Sequence, residues 1–244
     1  MADIAYMIRE DWADNATGMA RNSERIREWL GSDRYALVVQ DVTKYSPRDF
    51  TRETADYIGA VNQRVGPVSI GDLDRTWRSE RPLITAIVIH PRVSDDLEVL
   101  RSAVEKGTIG RLFVMVCSPT DVVRIWLESQ GAVDLMSGAT WPAPDSAMVE
   151  AALMMVNEEY DGLSSGHGKD IVIGLLRDFR IAGYPSDEGT WARAFLAAGG
   201  TFRGLDSVRR FAVEVEQGRN HRVTIRHRHG IVDMLEQRAE QRNS

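Results

Sequence analysis

The chain has 244 residues, 43% of them hydrophobic and 27% charged, with a net charge of −6. Length and composition are those of one or two globular domains with a core of their own, and Cys117, the single cysteine, excludes an intrachain disulfide. No apolar run approaches the roughly 18 residues a membrane helix needs, and the N-terminal stretch carries acids in place of an apolar signal region, so a cytoplasmic protein with no membrane partner is expected.

In chain order, a helix bearing Ile26, Trp29 and Leu30 is expected first. Four apolar runs then punctuate the first part of the chain: 36–42, 84–90, 111–117 and 132–136. The first three are rich in β-branched residues and almost continuously apolar, as strands buried on both faces are. Helical spacing separates them. Ser46-Pro47-Arg48-Asp49 and Ser118-Pro119-Thr120-Asp121 each read as serine N-cap, proline N1 and acid N3 of a helix that follows a strand. A shorter helix is expected after Ser69, with Ile70, Leu73 and Trp77 on one side, and another after Ser94 with Leu97, Leu100 and Val104. Alternation of this kind predicts an α/β fold, a Rossmann-like three-layer parallel sheet, over residues 1–160.

Asp145 to Tyr160 reads as a helix that ends in a glycine-rich connector over 161–170. Within that connector Gly168-Lys169 invites comparison with a phosphate-binding loop. The comparison fails because Asp170 stands where that loop needs Ser or Thr, and a helix precedes it where a strand is required. Residues 171–244 then read as a small α-helical module with a basic C-terminal segment. Its helices are expected over 171–181, 186–198 and 206–217, with Trp191, Phe195, Phe202 and Phe211 as its core.

Charge reverses at this connector: residues 1–162 hold 17 Lys/Arg against 26 Asp/Glu, and residues 163–244 hold 13 against 10. Seven arginines and three histidines crowd Arg203–His229 against Asp206, Glu214 and Glu216. An acidic protein or a nucleic acid is the expected partner there, with Arg209, Arg210, Arg222, Arg226 and Arg228 as the contacts. As a strand, 222–229 would align Arg222, Arg226 and Arg228 on one face, about 6.6 Å between same-face neighbours. The plain alternative is a charged, solvated edge. His221, His227 and His229 share that parity, but no cysteine accompanies them and no metal site is expected. A DNA-reading helix-turn-helix is disfavoured, because the connection from Gly199 to Leu205 is longer than the usual turn.

In parallel α/β sheets ligands bind beyond the carboxyl ends of the strands. Asp41, His90 and Cys117 end three strands, an acid, an imidazole and a thiol suited to nucleophilic catalysis if strand order brings them together. Burial of the cysteine for packing alone is the plain alternative. Thr43, Lys44, Ser46, Ser118 and Asp121 are the candidates for holding a small anionic ligand at the same rim. No G-x-G-x-x-G follows a strand, so a dinucleotide is disfavoured and no cofactor is assigned. Three functions follow. The first is a non-catalytic or regulatory protein with an anionic ligand at the rim and an acidic macromolecule on the basic module. The second is a hydrolase or transferase for a phosphorylated or carboxylated small molecule. The third is a self-assembling structural protein, a homodimer through Trp12, Trp141 or the Met148–Met155 stripe.

Overall fold

A computed structural model describes residues 2–9, 16–44, 63–73, 83–91, 94–224 and 230–243. It divides into two compact units, Met1–Trp141 and Pro142–Ser244.

The first unit is a three-layer α/β, Rossmann-like fold around six parallel strands: β1 (Asp3–Ile8), β2 (Tyr35–Val39), β3 (Gln63–Ser69), β4 (Leu83–Ile89), β5 (Ile109–Val116) and β6 (Val133–Asp134). Their order across the sheet is β3-β2-β4-β5-β1-β6, every pairing parallel. The three apolar runs at 36–42, 84–90 and 111–117 supply β2, β4 and β5, side by side at the centre. β5 is followed not by its sequence neighbour in space but by β1, in the register Asp3↔Arg111 to Ile8↔Val116.

Alternation along the strands divides the core. Ala5, Met7, Leu37, Val39, Ile87, Ile89, Phe113 and Met115 pack on one face with Ile26 and Leu30 of α1 (Ala16–Leu30). Tyr6 points to the other face, against Arg124 and Glu128 of α3 (Val122–Ser129). α2 (Ser94–Glu105) buries Leu97, Leu100 and Ala103 and packs on β5.

At the amino edge one arginine ties several elements together. Arg111 pairs with Asp3 at 3.0 Å and with Asp33 in the turn before β2, and its guanidinium also donates to the Trp29 carbonyl at 2.6 Å. It lies 4.4 Å from the centre of the Trp29 ring. With a quarter of the arginine side chain exposed and more than a third of each acid, solvent screening holds each ion pair to about 1 kcal/mol or less, and the network acts by fixing β1, β5 and the turn before β2 to one another.

Two strands were not foreseen. β1 is a short apolar core, Ile4 to Met7, enclosed by charged residues. β3 carries Gly66 and Pro67, which argue against a strand in general but are tolerated where proline has no inner partner to fail, at a sheet edge.

The second unit comprises α4 (Ser146–Asn157), α5 (Gly166–Ile181), α6 (Glu188–Ala197), α7 (Phe202–Glu216) and α8 (Ile231–Asn243). The 145–160 helix belongs to this unit: Ala147, Met148, Ala151, Ala152 and Met155 are buried, α4 packs on α6 and α8, and Arg242 of α8 reaches the buried Glu150 at 2.7 Å. The expected connector at 161–170 is half helix, since α5 begins at Gly166. A Cβ on Gly168 would stand 2.2 Å from the Gly162 carbonyl oxygen, so the glycine there serves close packing of α5 on the preceding turn. With the boundary at residue 141, the second unit holds 13 basic and 15 acidic residues. The reversal of charge near Gly162 is therefore an asymmetry inside one unit.

The start of α6 also differs from expectation: Asp187, not Ser186, is its N-cap, accepting from the Thr190 amide at 2.9 Å. α8 carried no sequence signal that was recognised.

Candidate functional site

Strand order brings the candidate rim residues together. Asp41 follows β2, His90 follows β4 and Cys117 follows β5, and these are three consecutive neighbours. Adjacent strands lie about 4.8 Å apart, so His90 stands between the other two. β2 leads to β3 on one side and β4 leads to β5 on the other. In open α/β sheets a divergence of this kind is where ligands bind, at the carboxyl ends of the two strands. Ser69 ends β3 beside Asp41, and its hydroxyl accepts from the Val42 amide at 3.0 Å. Arg9 directly follows β1, whose register with β5 ends at Ile8↔Val116, and so reaches the same rim as Cys117. Sequence reasoning missed Arg9 because it missed β1.

The local chemistry of this rim is largely internal. Asp41 Oδ1 accepts from the Thr43 amide at 2.9 Å and from its hydroxyl at 2.6 Å. Asp121 Oδ2 accepts from the amides of Cys117 at 3.1 Å and Ser118 at 2.9 Å. Two backbone N–H groups that would welcome an anion are thus already covered by a carboxylate. Ser118 is not the cap of α3: that helix begins at Val122 with Asp121 at the N-cap position. Residues 118–121 instead form a turn closed by the Asp121 amide on the Ser118 carbonyl at 3.0 Å. The Pro119 ring is accommodated in that turn, and the acid folds back instead of capping forward. Ser46 lies outside the described residues. For Lys44 only the backbone is described, in a 3-10 turn over Val42–Lys44.

His90 carries the unusual backbone of the rim. It is buried, and among the described residues it is the one non-glycine with positive φ, 50°. Its amide donates to the Met115 carbonyl at 3.0 Å, which holds it to β5. A left-handed residue directly before proline costs on the order of 1–3 kcal/mol.

On the helical unit the expected basic contacts separate. Arg209 is committed to Glu188, with Nε 2.9 Å from Oε1. Arg210 is exposed, its guanidinium 4.5 Å from the centre of the Phe211 ring. Arg222 is exposed in a stretch, 221–224, that has no regular structure, so the expected strand is not formed there. Arg226 and Arg228 lie outside the described residues, as do His227 and His229.

The turn between α6 and α7 is four residues, 198–201, shorter than expected. Gly200 closes it, since a Cβ there would lie 2.3 Å from the Phe195 ring. A helix-turn-helix length is thus present. Yet the N-terminus of α7 is occupied: Glu159 accepts from the Thr201 hydroxyl at 2.6 Å and from its amide at 3.1 Å. A carboxylate at that position repels a phosphate where a DNA-reading helix would meet one.

Cations gather instead at the opposite end of α7. Arg180 donates to the Val215 carbonyl, and Arg177 donates to the His221 carbonyl at 3.2 Å. His221 is buried to all but a tenth of its side chain, with Nε2 3.1 Å from Glu214 and its ring edge-on to Phe211. Its pKa is lowered first by burial, and the field of Lys169, Arg177 and Arg219 adds to that against the opposing pull of Glu214. Sequence reasoning placed none of Arg177, Arg180 and Arg219 in a site. The signal was available as Arg177 and Arg180 three apart on one helix.

A depressed histidine is neutral in the fold and protonates more readily once unfolded, so its contribution to stability is present above about pH 6.5 and is lost as pH falls through the lower folded value. We expect urea midpoints to fall between pH 7.5 and pH 5, and to fall less in His221→Gln. Equal losses in both proteins would show that His221 is not the group responsible.

No family model, no curated protein and no solved structure matches the chain.

Proposed function

We propose that this chain is a non-catalytic binding protein whose helical unit engages a negatively charged macromolecule through a local basic face. The observation that carries this reading is the concentration of Lys169, Arg177, Arg180 and Arg219 about the end of α7, with Arg222 exposed further along the chain, in a unit that is slightly acidic overall. Local fields of that kind steer association even when net charge opposes it. The internal use of Asp41 and Asp121 also favours binding over chemistry, because a general base needs its carboxylate or imidazole directed at a substrate.

The test is retention on heparin. The intact protein, at net −6, is expected to be held at low ionic strength and released by salt. Replacing Arg222, Arg226 and Arg228 with alanine should lower the salt concentration at which it elutes. A wild-type protein that flows through at low salt, or a triple variant that elutes with it, contradicts the proposal.

A second reading, a hydrolase or transferase for a phosphorylated or carboxylated small molecule, is favoured by one observation: the strained, buried His90 between Asp41 and Cys117. An imidazole that activates a thiol accelerates its alkylation. Iodoacetamide at pH 6 should then modify Cys117 on the order of tenfold faster than free cysteine, and His90→Asn should remove the difference. A rate no greater than that of free cysteine ends this reading.

A further inference from the structure

We infer that the helical unit carries a phosphate-binding pocket between α5 and the turn that follows α7. This inference names a recognition site within the anion-binding unit proposed above, and the site is separate from the arginines tested there. The pocket has a volume of about 450 Å³ and is lined by Arg177, Arg180, Ile181, Val215, Gly218, Arg219 and Asn220. Its size falls in the range of small-molecule sites.

Three guanidinium groups share this wall, and none of the lining residues is an acid. Two are fixed by the backbone, Arg180 on Val215 and Arg177 on His221, each through one of its five N–H donors. Arg219 pairs with Glu214 outside the lining and keeps about two thirds of its side chain exposed. Capping of the α7 carbonyls accounts for Arg180 by itself. It does not account for three like charges around one concavity, whose mutual repulsion an anion would relieve. Arginine forks match the oxygens of a phosphate in pairs. Ile181, which is 84% exposed, and Val215 give the same pocket an apolar side. The ligand class is therefore a small phosphomonoester with an apolar body.

Phenyl phosphate is the probe, with inorganic phosphate and phenol as its two halves. Calorimetric titration of the intact protein should show saturable binding of phenyl phosphate, weaker binding of inorganic phosphate and none of phenol. Arg219→Gln, a change at an exposed side chain, should weaken phenyl phosphate on the order of tenfold or more, the loss of one charge-assisted pair. Arg177→Gln should do the same, with thermal melts showing both variants folded. Bound phenyl phosphate should also raise the titration midpoint of His221 in proton NMR, since a dianion offsets the neighbouring cations. Absence of saturable binding at millimolar probe, binding unchanged in Arg219→Gln, or binding of duplex DNA without phenyl phosphate would each overturn the inference. An intact protein that binds phenyl phosphate but flows through heparin at low salt would instead count against the macromolecular reading alone.

Discussion

The α/β unit depends on the threading of β1 between β5 and β6. Because β1 pairs with β5 over all six residues and with β6 at Ala5 and Tyr6, the middle of its backbone is paired on both sides, and its side chains join the cores of both faces. The ion pair of Arg111 with Asp3 joins the same two residues that the β1–β5 register sets opposite each other. A slip of one residue would move Ala5 and Met7 to the opposite face of the sheet, where Tyr6 meets Arg124 and Glu128, and would separate that pair. The threading also fixes what stands at the opposite rim. It brings Arg9 to the same rim as Cys117, while the β2–β4 and β4–β5 pairings align Asp41, His90 and Cys117 in sequence.

Nearness at the rim does not make a reaction. Asp121 satisfies the amides of the β5 turn and Asp41 satisfies Thr43, so two of the acids that could orient an imidazole are already employed in holding loops. In the helical unit the balance is reversed. Glu159 covers the start of α7, whereas its end is surrounded by arginines that outnumber the nearby acid Glu214. Those cations belong to a unit whose core holds the buried Phe179 and Trp191, with the half-buried Tyr184 edge-on to Phe179.

Much of the sheet was legible because burial on both faces writes continuous apolar runs, as at β2, β4 and β5. β1 was hidden by its length and its charged flanks, and β3 by a glycine and a proline that only an edge position excuses. The helix starts were misread where an acid had two possible partners. At Asp121 the carboxylate turned back to Cys117 and Ser118, a choice set by turn geometry that residue order does not reveal. The domain boundary was misplaced because the charge reversal at Gly162 is conspicuous in sequence, whereas the packing of Met148, Ala151 and Met155 into the helical unit is not. Rim residues were found because they end recognisable strands. The arginine pocket was not, because Arg177, Arg180 and Arg219 converge only when α5 and the turn after α7 are brought together.

Hydrogen exchange across the first strand tests the central claim most directly. If β1 is threaded inside the sheet, amides of residues 3–8 should be protected to within about tenfold of those of 109–116 and well beyond the edge strand 63–69. Exchange of residues 3–8 at the rate of an unstructured peptide would contradict the threading, and with it the arrival of Arg9 at the rim.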